Sequence, residues 1–167
     1  MAEDEMSVTV NDHTSIRRAK STDAEQISGL YKDVWDEYRD EFPDELRISR
    51  QPSPEEMKTW LGRETYFVAL DDDEIVGVVG CILEHGACLL THMAIEKTYR
   101  RQGIGTALTK KVIQYAKNSG AFKVWLDTVP ILKEAISLYK KLGFVKCGHL
   151  KRHFWGADVE LYELVLT

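Results

Sequence analysis

What the chain has little of narrows the answer first. Cysteine occurs three times in 167 residues, as Cys81, Cys88 and Cys147, an odd number with no C-x-x-C spacing. That pattern speaks against a disulfide frame or a zinc ribbon and for small apolar side chains in a reducing compartment. No apolar run approaches the roughly 20 residues needed to cross a bilayer. Basic residues are outnumbered, 22 Lys and Arg against 27 Asp and Glu, for a net charge of −5. General nucleic-acid binding needs a basic face, which this balance does not supply. The opening "MAEDEMSVTVNDH" lacks the basic-then-apolar layout of a signal peptide. His85, His149 and His153 show no metal-ligand spacing. The expectation is a cytoplasmic protein with no metal, no membrane span and no nucleic-acid partner.

What is present is ordinary for one globular domain, with 44% hydrophobic and 29% charged residues. Residues 1–14 read as a flexible N-terminal tail and 15–167 as a single domain. "SIRRA" is a strand candidate, and "STDAEQ" carries helix-capping residues. The helix that follows aligns Ile27, Leu30, Tyr31, Val34, Trp35, Tyr38 and Phe42 on one stripe. Its other face carries Asp33, Asp36, Glu37, Asp40 and Glu41. "FPDELRISRQPSP" reads as irregular and Pro-broken, and "SPEEMKTWL" as a short helix capped by Ser53 with Pro54 at its first position. From Thr65 the period shortens to two. "TYFVAL", "IVGVVGCILEH" and "ACLLTHMAI" are antiparallel strands joined at "DDDE" and around Gly86. A helix "GTALTKKVIQYAKNSG", a strand "FKVWLDTV", a helix "KEAISLYKKLGF" and strands "FVKCGHLK" and "DVELYELVLT" complete the chain. The order βααβββαβαββ is a mixed α/β domain with a mostly antiparallel central sheet flanked by helices.

The stretch "YRRQGIGTAL", Tyr99 to Leu108, reads as a loop that holds phosphate, because a Gly-rich turn opens a helix there, or as a plain strand-to-helix connection with solvated arginines. Read as a dinucleotide loop, Gly103-x-Gly105-x-x-Leu108 lacks its third glycine, and "EKTYRRQ" separates it from the preceding strand. Read as a triphosphate loop, it lacks the Lys-Ser/Thr pair. Read as Arg100-x-x-Gly103-x-Gly105 after an antiparallel strand, it resembles the acetyl-CoA pyrophosphate loop of the GNAT superfamily of acetyl-CoA-dependent N-acetyltransferases. "HMAIEKTYRRQGIGTALTKKVI" is similar to the family's strand, loop and helix, and "VWLDTVPILKEAISLYKKLGF" to its next strand and helix. The resemblance runs from about Ser15 to the C-terminus and is densest from His92 to Phe144.

The resemblance implies acetyl-CoA as donor and an amine as acceptor, on a small molecule or a peptide. It implies cofactor contacts from Met93, Ala94 and Ile95 along the pantetheine arm. Around the pyrophosphate it implies contacts from Arg100, Arg101, Gln102, Gly103, Ile104, Gly105 and Thr106. It places Tyr139 as the acid that protonates the leaving sulfur, and Asp127 where one branch carries a Glu. Asp127 reads equally as a base or as a structural cap of "TVPILKEA". Leu89 and Leu132 stand where branches of the family carry Glu and Asn, which leaves the base unassigned and weakens the protein-N-terminus reading. His92 is a further candidate beside the pantetheine. The acceptor walls implied are the first helices and the last hairpin, with Trp35, Tyr38, Phe154 and Trp155 as aromatic candidates. The acids of the first helix read either as an attraction for a cationic amine or as a solvated face. Rivals to a small-amine acetyltransferase are an N-terminal or lysine acetyltransferase and a non-catalytic acyl-CoA-binding module. A homodimer is compatible with the exposed sheet edge that this order leaves.

Overall fold

The computed structural model describes residues 7–167. In chain order its elements are β1 (Val8–Thr9), β2 (Thr14–Arg18), α1 (Ala24–Asp36), α2 (Asp44–Ser49), α3 (Pro54–Arg63), β3 (Thr65–Asp71), β4 (Glu74–Glu84), β5 (Ala87–Ile95), α4 (Ile104–Asn118), β6 (Lys123–Thr128), α5 (Lys133–Lys141), β7 (Val145–Phe154) and β8 (Ala157–Val165). The expected order is present with two additions, β1 and α2. β1 pairs with β2 inside the stretch expected to be a tail, Val8 opposite Ile16. Residues 1–6 of that stretch lie outside the described residues.

Among the described residues the strands form one sheet in the order β1-β2-β3-β4-β5-β6-β8-β7. Every neighbouring pair is antiparallel except β5 and β6. Both faces are covered by helices, which is why "TYFVAL" in β3 is apolar without alternation. Tyr66 and Val68 point into a core shared with Ile27, Tyr31 and Met57 of α1 and α3. Phe67 and Ala69 point the other way, into a core with Ile104, Leu108 and Val112 of α4 and Tyr139 of α5. Among the described residues no helix is long and apolar enough to cross a membrane.

Local chemistry sets several boundaries. At α3 the Ser53 hydroxyl accepts from the Glu56 N–H at 3.1 Å and the Glu56 carboxylate accepts from the Ser53 N–H at 3.4 Å, a reciprocal cap with Pro54 just inside. The apolar stripe of α1 outlasts the helix, which ends at Asp36. The chain then unwinds through three-residue turns, with Glu37 N–H to Val34 O at 3.3 Å and Tyr38 N–H to Trp35 O at 3.1 Å. Trp35, Tyr38 and Phe42 stay on one side by packing ring against ring, with centroids 5.2–5.8 Å apart. The stretch expected to be irregular holds α2 instead. Pro43 precedes its first turn, Asp44 and Glu45 sit at its positive end, and Leu46 is buried.

The last hairpin also differs from expectation. β7 runs on to Phe154, opposite Ala157, so the reversal is only Trp155-Gly156, both at positive φ (47° and 90°). Phe154 is therefore a strand residue, and Trp155 stands at an exposed tip.

Candidate active site

The cleft arises from a failure of pairing. β5 and β6 run parallel only from Ala87↔Lys123 to Leu89↔Trp125, yet β5 continues to Ile95 and β6 to Thr128. A bulge sends β5 away. On β4 the pairs step from Gly80 to Val78 while on β5 they step from Thr91 to Ala94, so β5 carries one extra residue there. Within it, His92 has φ 52°. Between the separated ends lies a cleft of about 930 Å³, bounded by β5, β6, the start of α4, α5, α1 and Phe154.

One end of the cleft is the glycine loop. Gly103 has φ 84°, and no atom lies within 4 Å of where its Cβ would be. It precedes α4, whose first N–H groups have no partner within the helix. Gly105 serves packing: a Cβ there would stand 2.9 Å from Leu138 and 3.1 Å from Ile95. Met93, Ala94, Ile95, Arg100, Arg101, Gly103, Ile104, Gly105 and Thr106 all line the cleft. Gln102 does not; its side-chain amide donates back to the Thr98 carbonyl at 3.2 Å. The arginines are engaged within the protein. Arg100 places both Nη atoms 2.8 Å from the Glu37 carboxylate and its Nε 3.0 Å from the Ile95 carbonyl. Arg101 reaches Glu134 at 2.6 Å. The Ile95 carbonyl, at the end of β5, is thereby engaged by Arg100.

Tyr139 and Asp127 both line the cleft. The Tyr139 ring is buried against Phe144, centroids 5.7 Å apart, and lines the cleft. Among the described residues its hydroxyl has no hydrogen-bond partner. Burial raises its pKa above the usual phenol range, and the Asp127 charge adds to that. Asp127, near the end of β6, also has a raised pKa. Its burial is the main cause, opposed by the positive charges of Arg50 and His153. The alternative of a helix cap does not hold. Leu132 is the residue preceding α5, and no side chain caps that helix.

The rest of the cleft wall includes Trp35, Tyr38, Leu46, Arg50, His92 and Phe154. Trp155 is not among the lining residues and is 55% exposed at the hairpin tip. A two-residue turn carries it beyond the cleft, and Phe154 takes the inward place. The acids of α1 do not line the cleft either. Asp36 binds Arg47 and Gln51, each at 3.1 Å, and Glu37 binds Arg100. The solvated face is the reading that fits them.

His92 is held on all sides. Trp60 stacks on its ring at 4.9 Å, the Tyr31 hydroxyl donates to its carbonyl at 2.5 Å, and Arg50 Nη1 lies 2.9 Å from its Nε2. A guanidinium only donates, so Nε2 accepts and the proton sits on Nδ1, facing the Tyr66 hydroxyl at 3.4 Å. Tyr66 in turn donates to Glu64 at 2.7 Å. Burial, with the Arg50 charge, lowers the His92 pKa to about 3. The ring lines the cleft, but its acceptor nitrogen is taken, which removes it as a base. Arg50 is the wall residue that the sequence did not announce. It sits just past α2, a helix whose own signal was hidden between prolines.

Comparison with known proteins agrees with this geometry. The profile of the Acetyltransferase (GNAT) family matches residues 29–144. Human N-acetyltransferase 8B is 35% identical over 103 residues, 58% of this chain and 45% of that protein. N-alpha-acetyltransferase 30 of Schizosaccharomyces pombe is 38% identical over 107 residues, 60% of this chain and 71% of that protein. The match thus spans under half of the human relative's length. The PaiA N-acetyltransferase of Thermoplasma acidophilum, solved in complex with coenzyme A, superposes with a TM-score of 0.79 at 17% identity, covering 92% of this chain and 99% of that one.

Proposed function

The chain belongs to the acetyltransferase (GNAT) family, and on that premise we propose that it moves an acetyl group from acetyl-CoA to a primary amine by direct attack in a ternary complex. The observation that carries this reading is a free tyrosine hydroxyl, Tyr139, in a cleft that also receives the start of α4 and the unpaired end of β5. The residues present fit the donor. Gly103 leaves open space at the helix start, and N–H groups there face anions favourably. Met93 and Ala94 offer strand edge for an extended arm, and Arg100 and Arg101 can turn from carboxylate to phosphate. Acetyl-CoA supplies the activated acyl group as a thioester.

The protein's own contribution is proton control and orientation. The acceptor must enter as a neutral amine; its nitrogen forms the C–N bond as the C–S bond breaks. Asp127 receives the proton the nitrogen sheds, directly or through a water, and its raised pKa brings it nearer to that task. Tyr139 donates to the departing sulfur. An ordinary thiol has a pKa of about 8.5, below that of a phenol, so in bulk water this transfer would be uphill. Burial disfavours a bare thiolate as it disfavours a phenolate, so a hydrogen bond from the buried Tyr139 hydroxyl stabilises the charge as it develops on sulfur, and the proton follows as the thiol leaves. No acyl-enzyme is required.

The N-terminus of a peptide is the second reading for the acceptor, supported by the likeness to N-alpha-acetyltransferase 30. The test is acetyl-CoA-dependent release of free thiol across small amines and short peptides, with Tyr139→Phe in parallel. Amine-dependent release that collapses in the variant supports the reading. Binding of acetyl-CoA without release from any acceptor would replace it with that of an acyl-CoA-binding module.

A further inference from the structure

We infer that the acceptor carries a carboxylate close to its amine, and that Arg50 is the residue that reads it. The inference deepens the transfer reading above and rests on it.

Arg50 is a cation placed in the acceptor wall without an anion of its own. Arg47, Arg100 and Arg101 each hold a carboxylate within 3.2 Å. Among the described residues Arg50 holds none; its one side-chain hydrogen bond goes to the neutral His92 ring at 2.9 Å. Its guanidinium lies over the Phe154 ring, 5.5 Å from the centroid. An imidazole on one edge and an aromatic face beneath fix the fork, while Nε and Nη2 keep donors that no protein group takes up. A fork fixed in this way loses little freedom when a planar anion docks.

The surroundings set the sign of the ligand. His92 is committed to accepting from Arg50 and brings no positive charge. Asp127 lines the same cleft, near enough for the Arg50 charge to act on its carboxyl. One cleft thus offers both a cation and a carboxyl. That pair is complementary to an amine flanked by a carboxylate, the nitrogen toward Asp127 and the carboxylate toward Arg50. A polyamine, all of one sign, would meet Arg50 unfavourably, and the acids of α1 do not line the cleft to offset it. Trp35, Tyr38 and Phe154 supply apolar surface for the remainder. The carboxylate can come from a free α-amino acid or from an acidic first residue of a peptide; the chemistry at Arg50 is the same.

Matched acceptors test this. Thiol release is measured with L-phenylalanine against L-phenylalaninamide, and with C-terminally amidated peptides beginning Asp-Ala against Asn-Ala. The amide is the weaker base, with more neutral amine at pH 7.5, so intrinsic reactivity works against the expected result. We expect kcat/KM at least about tenfold higher for the acid in one of the two pairs, mostly through KM, as a charge-assisted hydrogen bond implies. The pair that shows it names the source of the carboxylate. In Arg50→Gln the ratio should fall to within about threefold, and Arg50→Lys should restore part of it, as a point charge without the fork. Tm and far-UV circular dichroism report folding. Should Arg50→Gln fail to fold, the wild-type ratios and Arg50→Lys decide. Wild-type ratios near one in both pairs, or a ratio that Arg50→Gln leaves intact, overturn the inference while acetyl transfer stands. No thiol release from any acceptor overturns the transfer reading and this one with it.

Discussion

Replacing Tyr139 by Phe separates chemistry from packing, because the structure assigns the ring and the hydroxyl to different tasks. The ring is 5% exposed and packs on Phe144 within the core that α4 and α5 share with the sheet. Phe keeps that surface. The hydroxyl has no protein partner among the described residues, so its removal leaves no buried group unsatisfied. Stability should change by less than about 1 kcal/mol, which for a domain of this size is roughly 2–4 °C in Tm. Loss of a general acid costs about 10²–10⁴ in rate, or roughly 3–5 kcal/mol of barrier. We therefore expect kcat to fall by at least about a hundredfold with Tm nearly constant and acetyl-CoA affinity within a few-fold. Stopped-flow or continuous thiol detection gives kcat, and differential scanning fluorimetry gives Tm on the same preparation. A kcat within threefold of wild type would refute the assignment of Tyr139 as the acid. A kcat and Tm that fall together would refute the claim that ring and hydroxyl act separately.

Other outcomes follow from the same geometry. His92 has its pKa lowered from 6.5 to about 3, so between those values the unfolded chain binds a proton that the folded one does not. Stability on this account is fully present above pH 6.5 and is lost as pH falls toward 3; urea midpoints at pH 7.5 and 5 should show the loss, and His92→Gln should flatten it. Tyr31 and Tyr139 have raised pKa values from burial, so their stabilising effect is present below pH 10 and lost as pH rises past it. Alkaline unfolding should accordingly be shallower in Tyr139→Phe, read by circular dichroism against pH. Gly103→Ala meets no atom but must hold φ 84°, at a cost of about 1–2 kcal/mol, and should weaken acetyl-CoA binding by calorimetry more than a surface Ala change would. Gly105→Ala stands 2.9 Å from Leu138 and should destabilise by roughly 1–3 kcal/mol, seen as a lower urea midpoint.

What could be read from the sequence was whatever short range decides. The start of α3 is set by Ser53 and Pro54, adjacent in the chain, and folds as read, with the return bond to Glu56 added by the structure. The glycine loop and α4 are set by Gly103 and by an apolar stripe, and both were visible. The missing parts depend on partners far along the chain. Beyond the end of α1, Tyr38 and Phe42 pack on Trp35 and on each other and so continue its apolar side outside the helix, which is why the stripe alone overran it. α2 is six residues long and rests on one buried Leu46, too little for periodicity to register. With α2 hidden, Arg50 had no place, and the cleft wall lost that cation. Trp155 was misplaced because a two-residue turn and a longer loop differ only in register, which β8 sets. The bulge in β5 is likewise a property of its pairing with β4 and leaves no mark in "ACLLTHMAI".

That bulge ties the two halves of the cleft together through His92. A non-glycine residue at φ 52° costs energy, and it persists where surroundings over-determine it. Here α1 supplies the Tyr31 hydroxyl to the His92 carbonyl, α3 stacks Trp60 on the ring, and Arg50 beyond α2 holds Nε2. α1 and α2 also give Trp35 and Leu46 to the cleft wall, α3 gives no lining residue, and the displaced β5 residues Met93 and Ala94 line the same cleft. Arg100 repeats the link further on, binding Glu37 at the end of α1 and the Ile95 carbonyl at the end of β5. Arg50 thus joins the cleft wall to the displaced end of β5, while Tyr31 and Trp60 hold that strand from outside the cleft. A change at Trp60 or Tyr31, neither of which lines the cleft, should then alter the kinetics of acetyl-CoA as well as those of the acceptor.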